Sequence, residues 1–213
     1  MRFRHSVAPR GFPLLTLYLT PGASSMAPHI ALHEIGVDFV ARYLSLVKRE
    51  NRSPEYLAIN AAGTVPVLLI EGRALTEVAA ILYFLAKRFP DAHLLPAGDI
   101  EADAHAIEWM SFIAAAIHPA RHRGLEHAHK IWSVAEQRLA HREWALGQYS
   151  IVDIHLFRLF WRFHADLDLQ RNEFPSLFDH YEHMKNRPAV QRVLTAEAAI
   201  GYEPVPGRLP PPM

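Results

Sequence analysis

Apolar and polar positions change their period along this chain. Leu14-Leu-Thr-Leu-Tyr-Leu19 alternates and is closed by Pro21-Gly22, the signature of a short strand and a turn. Ala27, Ile30, Ala31 and Ile35 then share a helical face, with Ser24-Ser25 ahead as candidate caps and Gly36 as the stop. Pro28 falls in the first turn, where proline is tolerated. Asp38 to Leu46 reads as a second strand, completing a β-α-β unit with a right-handed crossover. Ser53 caps a short helix that has Pro54 at its first position. Val65 to Ile70 reads as a buried strand, which Glu71-Gly72-Arg73 turns into a brief partner at Ala74-Leu75. Thr76 is expected to cap a helix that runs through Leu85 and ends before Pro90.

The order β-α-β-α-β-β-α over residues 14–90 is a thioredoxin-like layout. Residues 91–98 have the proline, glycine and small residues of a linker. From 99 to 203 the period is helical. Ala104, Ile107, Met110, Phe112, Ile113 and Ile117 mark one helix, and a second runs from about Leu125 to His141. A third starts at Ser150, and a shorter pair covers Pro175–Asn186 and Pro188–Ala198. The predicted architecture is an α/β thioredoxin-like N-terminal domain followed by an all-α C-terminal domain. Residues 1–13 carry Arg2, Arg4 and Arg10 without an apolar signal core and read as a poorly ordered extension. Residues 204–213 read as a loosely attached proline-rich tail.

Composition narrows the chemistry. With 213 residues, half of them apolar, the chain can bury a sizeable core. The 22 basic and 22 acidic residues cancel, so there is no basic excess for nucleic acid or an anionic membrane. The longest apolar stretch, Val78 to Ala86, falls far short of the roughly 20 residues of a membrane helix, and the protein reads as cytoplasmic. The absence of cysteine removes disulfides, thiolate metal sites and any cysteine nucleophile. His122, His127 and His129 match no zinc spacing, so no metal is expected. The excess of arginine over lysine, 18 to 4, is compatible with anion recognition, although genomic composition is the plainer account.

Four stretches in order between Leu15 and Ala198 (17–32, 60–69, 75–81 and 107–113 ahead of His118) carry a resemblance to the cytosolic glutathione S-transferases, and within them to the bacterial beta class most. Leu17-Tyr-Leu-Thr-Pro-Gly-Ala-Ser-Ser-Met-Ala-Pro-His-Ile-Ala-Leu32 is similar to the family's opening. Asn60-Ala-Ala-Gly-Thr-Val-Pro-Val-Leu-Leu69 is similar to its loop and strand N-P-x-G-x-V-P-x-L, whose last position falls on Leu68. Leu75-Thr-Glu-Val-Ala-Ala-Ile81 resembles its helix opening, and Ile107-Glu-Trp-Met-Ser-Phe-Ile113 ahead of His118 its cleft helix. Ser150-Ile-Val-Asp153 stands where the family keeps a capping box, with Ser150 capping the helix and Asp153 reaching back.

The resemblance implies glutathione as co-substrate and a homodimer. It implies a cis Val65–Pro66 bond that offers the backbone of Val65 to glutathione; an ordinary trans proline at a strand start is the plainer alternative. Glu77 would take the γ-glutamyl ammonium and the N–H groups behind it the carboxylate, although an acid at a helix start is favourable in any case. Lys48 and Arg49 match the basic position for the glycyl carboxylate, or are a solvated surface pair. His118 matches a histidine directed at the sulfur, or is a satisfied core histidine. Trp109, Phe112 and Ile113 would line an apolar co-substrate cleft.

Three departures matter. Position 24, normally cysteine in the beta class, is serine; Leu19 fills the place of the tyrosine that other classes use; and Val78 replaces the usual serine or glycine. Ser24 is the candidate catalytic hydroxyl, with Ser25 as the alternative and simple helix capping as a third possibility. The implied activity is attack of activated glutathione on an apolar electrophile. A weakly catalytic or non-catalytic binding protein, or a glutathione-dependent isomerase or lyase, stands as the alternative.

Overall fold

Leu15, Leu17 and Leu19 have no exposed surface, whereas Thr16 and Tyr18 between them are half-buried. This alternation gives strand β1 (Leu15–Leu19) one heavily covered face. The computed structural model describes residues 14–98, 100–139 and 141–203; the expected N-terminal extension and C-terminal tail lie outside them. β1 is parallel to β2 (Phe39–Tyr43) and antiparallel to β3 (Val67–Ile70), which pairs with β4 (Arg73–Thr76). The sheet order is β2-β1-β3-β4. Helices α1 (Met26–Ile35) and α3 (Val78–Arg88) pack on each other and share one buried cluster with the β1 leucines. Helix α2 (Pro54–Ile59) covers the other face, where the Tyr56 ring lies 5.4 Å from that of Tyr18.

Local signals explain most boundaries. Gly36 ends α1 in the left-handed conformation at φ 73°, and Ser53 caps α2 by accepting the Tyr56 N–H at 3.2 Å. Three boundaries differ from the sequence expectation. β2 stops at Tyr43 instead of running to Leu46. Thr76 does not cap α3, because it is still a ladder residue opposite Val67 and Glu77 holds the cap position. Ser25 precedes α1 with helical backbone angles and makes no cap bond.

The second domain consists of α4 (Ile100–Phe112), a π-helical turn (Ile113–Ile117), α5 (His118–Ala120), α6 (Leu125–Leu139), α7 (Ile151–Phe163), α8 (Pro175–Lys185) and α9 (Pro188–Ile200). Pro119 accounts for the widened turn. It has no N–H to continue the ladder and its ring crowds the carbonyl four residues back, at Ala115. Helix α7 is the hub: every one of its residues is buried, and it touches α1, α3, α4 and α8. The expected capping box starts it, with the Ser150 N–H donating to Asp153 Oδ2 at 2.9 Å and the Val152 N–H to Ser150 Oγ at 3.2 Å.

The domains are joined along α1, which packs against α7 and α9. Glu34 of α1 accepts Arg187 Nε at 2.7 Å and the Tyr149 hydroxyl at 2.8 Å. Between the domains, residues 93–98 form neither helix nor strand, yet the Leu94 carbonyl accepts the Ile151 N–H at 2.8 Å and so ties this stretch to the start of α7. Among the described residues no helix is long and apolar enough to cross a membrane.

Candidate functional site

The ladder register gathers four separate sequence segments at one end of the sheet. Leu19, the last residue of β1, pairs with Tyr43, the last of β2. Tyr18 pairs with Val67, the first residue of β3, and Val67 pairs with Thr76, the last of β4. The segments after β1, β2 and β4 and the segment before β3 therefore meet on one edge. They carry Ser24, Lys48 with Arg49, Glu77 with Val78, and Val65 with Pro66. Parallel and antiparallel pairing in one sheet brings together residues more than fifty positions apart in the chain.

Each segment presents different chemistry. Val65–Pro66 is cis, and Val65 lies ahead of the first ladder pair, so its N–H and C=O stand outside the strand pairing. Glu77 is exposed and has φ 66° and ψ 123°, a conformation rare for any residue but glycine. The Ile81 N–H donates to the Glu77 carbonyl at 2.9 Å, so the free N–H groups of α3 open at Val78, which is half-buried. Lys48 and Arg49 are exposed in the turn after β2, where Arg49 adopts φ 58°. That turn is anchored from the far end of the chain: Glu203 Oε2 accepts the Leu46 N–H at 2.9 Å and the Val47 N–H at 3.1 Å.

The two serines are separated by their surroundings. Ser25 has no exposed surface; its Oγ accepts the Thr20 N–H at 3.1 Å and donates to the Thr20 carbonyl at 3.1 Å. Both capacities are spent on closing the turn. Ser24 is half-buried, and its carbonyl accepts the Ala27 N–H at 3.3 Å while its hydroxyl makes no bond to a described residue. Tyr18, next to the site in sequence, points to the α2 side, as strand alternation predicts.

From the helical domain, Arg158, Trp161, Glu197 and Tyr202 reach this turn. Glu197 Oε2 accepts the Gly22 N–H at 2.7 Å, and Arg158 donates through Nε to the Ala23 carbonyl at 3.1 Å and through Nη2 to the Gly22 carbonyl at 3.2 Å. Gly22 sits at φ 73°, and a Cβ there would come 3.1 Å from the Tyr202 ring and 3.7 Å from Trp161. Burial first, then neighbouring Arg162, brings the Arg158 guanidinium down to about 9, against the pull of Glu197. None of these four stood out from the sequence. The available signal was arginine inside an otherwise apolar helical run, at Arg158 and Arg162.

The expected cleft residues lie elsewhere. Ile113 has no exposed surface and belongs to the core. Trp109 and Phe112 pack edge to face at 6.1 Å under Arg138 of α6, and Trp109 borders a concavity with His105, Glu108, Arg138 and Arg142. His118 is half-buried at the end of the π-helical turn, close enough to His155 of α7 to bear on it electrostatically. Burial, with Arg158 and His118 adding to it, pushes His155 down to about 3. Among the described residues no group of three His, Cys, Asp or Glu side chains is placed to hold a metal; His129 instead donates through Nε2 to the Leu167 carbonyl at 2.7 Å.

A four-stranded mixed sheet with its candidate site at the strand ends, backed by a helical domain that braces the turn before Ser24, defines a two-domain protein of thioredoxin-like plus helical type. The family descriptions "Glutathione S-transferase, N-terminal domain" and "Glutathione S-transferase, C-terminal domain" match residues 24–88 and 120–197. Glutathione S-transferase GstA of Escherichia coli O157:H7 is 32% identical over 200 residues, covering 86% of this chain and 98% of the relative. A sphingomonad glutathione S-transferase solved with glutathione superposes at a TM-score of 0.78 with 30% identity, covering 86% of this chain and 98% of that one. The ternary complex of BphK, a bacterial enzyme of the same family, gives 0.77 and 32%, covering 86% and 99%. The chain belongs to the glutathione S-transferase family.

Proposed function

We propose that the protein is a glutathione transferase that binds glutathione along the strand-end edge and activates its thiol for attack on an electrophile. The observation that carries this is similarity over 86% of the chain to a glutathione S-transferase, with glutathione itself bound in a neighbour of the same fold. In this reading Val65, ahead of cis Pro66, offers its backbone to the cysteinyl residue. Glu77 takes the γ-glutamyl ammonium, the N–H groups at Val78 its carboxylate, and Lys48 or Arg49 the glycyl carboxylate. Ser24 donates to the sulfur and, with the positive end of α1, favours the thiolate. His118 assists from the helical domain. The second substrate enters between the Ser24 turn and the helices. Since Ser24 cannot form a disulfide, the thiol arrives with the ligand.

We further propose a cytoplasmic homodimer with a detoxifying role, the N-terminal domain of one subunit facing the helical domain of the other. Sedimentation at micromolar concentration tests the assembly: a monomer throughout overturns it. For the activity, glutathione calorimetry is combined with a spectroscopic titration of the bound thiol. Binding with a thiol pKa of about 6–7, below the free value of about 8.5, is expected. No binding at millimolar glutathione overturns the transferase reading. Binding with an unshifted thiol makes the protein a glutathione-binding module without this catalysis.

A further inference from the structure

Three guanidinium groups surround one phenyl ring at the end of α7. The Cζ atoms of Arg121, Arg158 and Arg162 lie 4.8, 5.7 and 6.0 Å from the centroid of Phe163. Arg158 and Arg162 project from successive turns of α7, and Arg121 reaches them from the turn that follows α5. Arg158 and Arg162 are buried and Arg121 is half-buried, so little water screens them from one another. Among the described residues, Asp166 and Glu197 bear on the group. Asp166 Oδ2 is 3.6 Å from Arg162 Nη1, and Glu197 acts on Arg158. Glu197 is already engaged by the Gly22 N–H and by His29 Nδ1 at 2.9 Å. Among the described residues the three guanidinium groups here outnumber the two carboxylates named, in a chain of 22 basic and 22 acidic residues.

Two donors in this cluster are also unused. Arg158 Nη1 and Arg121 Nε are buried and, among the described residues, have no hydrogen-bond partner. Arg158 itself is only 5% exposed, and its Nε and Nη2 are spent on the carbonyls of Ala23 and Gly22. A buried donor left unpaired costs about 1–3 kcal/mol, more when charged, and native proteins seldom leave one unless something else completes it. Those two carbonyls immediately precede Ser24. The unused donors and the excess charge therefore adjoin the turn that would hold the sulfur, on the side of the helical domain.

We propose that Arg121, Arg158 and Arg162 form an anion subsite for the second substrate, so that the electrophile carries a carboxylate beside an apolar body. This rests on the transferase reading and narrows it, replacing the wholly apolar electrophile by an amphipathic acid. The guanidinium forks bind the carboxylate, and the electrophilic carbon is held toward the half-buried Ser24. The carboxylate is not consumed. The glutathione sulfur forms the new bond to the electrophilic carbon, the leaving group departs with the electron pair of the bond that breaks, and the thiol proton passes to solvent.

Binding of 3-nitrobenzoate and of uncharged 3-nitrobenzamide, measured by calorimetry on the whole chain, reads the subsite without glutathione. The acid is expected to bind at least about tenfold more tightly, an advantage that Arg121→Gln or Arg162→Gln removes. Equal affinity for the two probes in the unmodified protein overturns the proposal whatever the variants do. With glutathione present, 4-chloro-3-nitrobenzoate should exceed 4-chloro-3-nitrobenzamide in kcat/KM, each normalised to its uncatalysed rate, and the ratio should fall toward one in both variants. A glutathione titration in the same buffer separates the two readings. Acid preference without glutathione binding overturns the transferase reading alone, whereas glutathione binding without acid preference overturns the anion subsite alone. One-for-one displacement of 3-nitrobenzoate by glutathione assigns the arginines to carboxylates of glutathione and also overturns the proposal.

Discussion

Glu197 accepts the Gly22 N–H at 2.7 Å across 175 positions of sequence, so the last helix fixes the turn that precedes Ser24. Its other oxygen meets His29 Nδ1 at 2.9 Å, and the carboxylate has no exposed surface. Removing it leaves a buried N–H, a buried imidazole and the Arg158 guanidinium without their counterpart. Glu197→Ala should therefore cost about 3–5 kcal/mol, read by denaturant unfolding. Glu197→Gln keeps the shape and should fall between the two. Stability within about 0.5 kcal/mol of the parent, the range of ordinary surface substitutions, would show that the two domains are held by other contacts.

Ser24 and Ser25 should fail in different ways. Ser25→Ala removes both bonds to Thr20 in a fully buried turn and should cost about 1–3 kcal/mol. Ser24→Ala loses no bond to a described residue and should leave the melting temperature unchanged while cutting turnover strongly, with little effect on glutathione affinity. Thermal melts and steady-state kinetics on the two variants check this. Activity lost only in Ser25→Ala would move the active hydroxyl to that residue.

Asp153 does more than the capping box requires. Besides the Ser150 N–H, it accepts the Ser150 hydroxyl at 3.0 Å, the Ala145 N–H at 2.8 Å and His180 Nε2 at 3.1 Å, with no exposure to water. Asp153→Ala should thus exceed the ~1 kcal/mol of an ordinary cap and approach about 3 kcal/mol. A loss near 1 kcal/mol by chemical denaturation would mean that the contacts to Ala145 and His180 contribute nothing net.

Acid should unfold the protein through His155. Its folded-state pKa is pushed to about 3 by burial, with Arg158 and His118 contributing, against about 6.5 when unfolded. The unfolded chain therefore binds the proton first. The stability this group confers is complete above pH 6.5 and is lost as pH falls toward 3, at up to about 1.4 kcal/mol per pH unit. His33, pushed to about 4, acts in the same direction but is partly exposed and should count for less. His155→Phe should flatten the stability profile between pH 6.5 and 4. An unchanged profile would assign the acid lability to other groups.

Most of the fold was legible because its signals are local. The alternation of Leu15, Leu17 and Leu19, the cap at Ser53, the stop at Gly36 and the box at Ser150–Asp153 each act within a few residues. The family resemblance selected the strand-end residues, and the register supplies the physical reason they meet. The brace from Arg158 and Glu197 was not legible, since a buried charge gives no sign in sequence of which distant backbone group it serves. The direction of Trp109 was equally hidden: helical spacing marks a buried face, but not which neighbouring helix covers it. Thr76 ends β4 instead of capping α3 because a good cap residue is also a good strand residue, and pairing with Val67 prevails.

Val78 is the departure most open to direct test. It heads α3, where unpaired N–H groups point outward, and it packs partly against the core. A hydroxyl at this position would add one hydrogen bond to the γ-glutamyl carboxylate, and a bond to a charged group is worth about 1.5–3 kcal/mol. Val78→Ser should therefore tighten glutathione binding by about tenfold or more. It should also lower stability modestly, because half-buried methyl groups are lost from the face of α3. Calorimetry with glutathione gives the first quantity and a thermal melt the second. An unchanged affinity in a folded variant would place the γ-glutamyl carboxylate away from this helix start, and the assignment of Glu77 to the ammonium would fall with it.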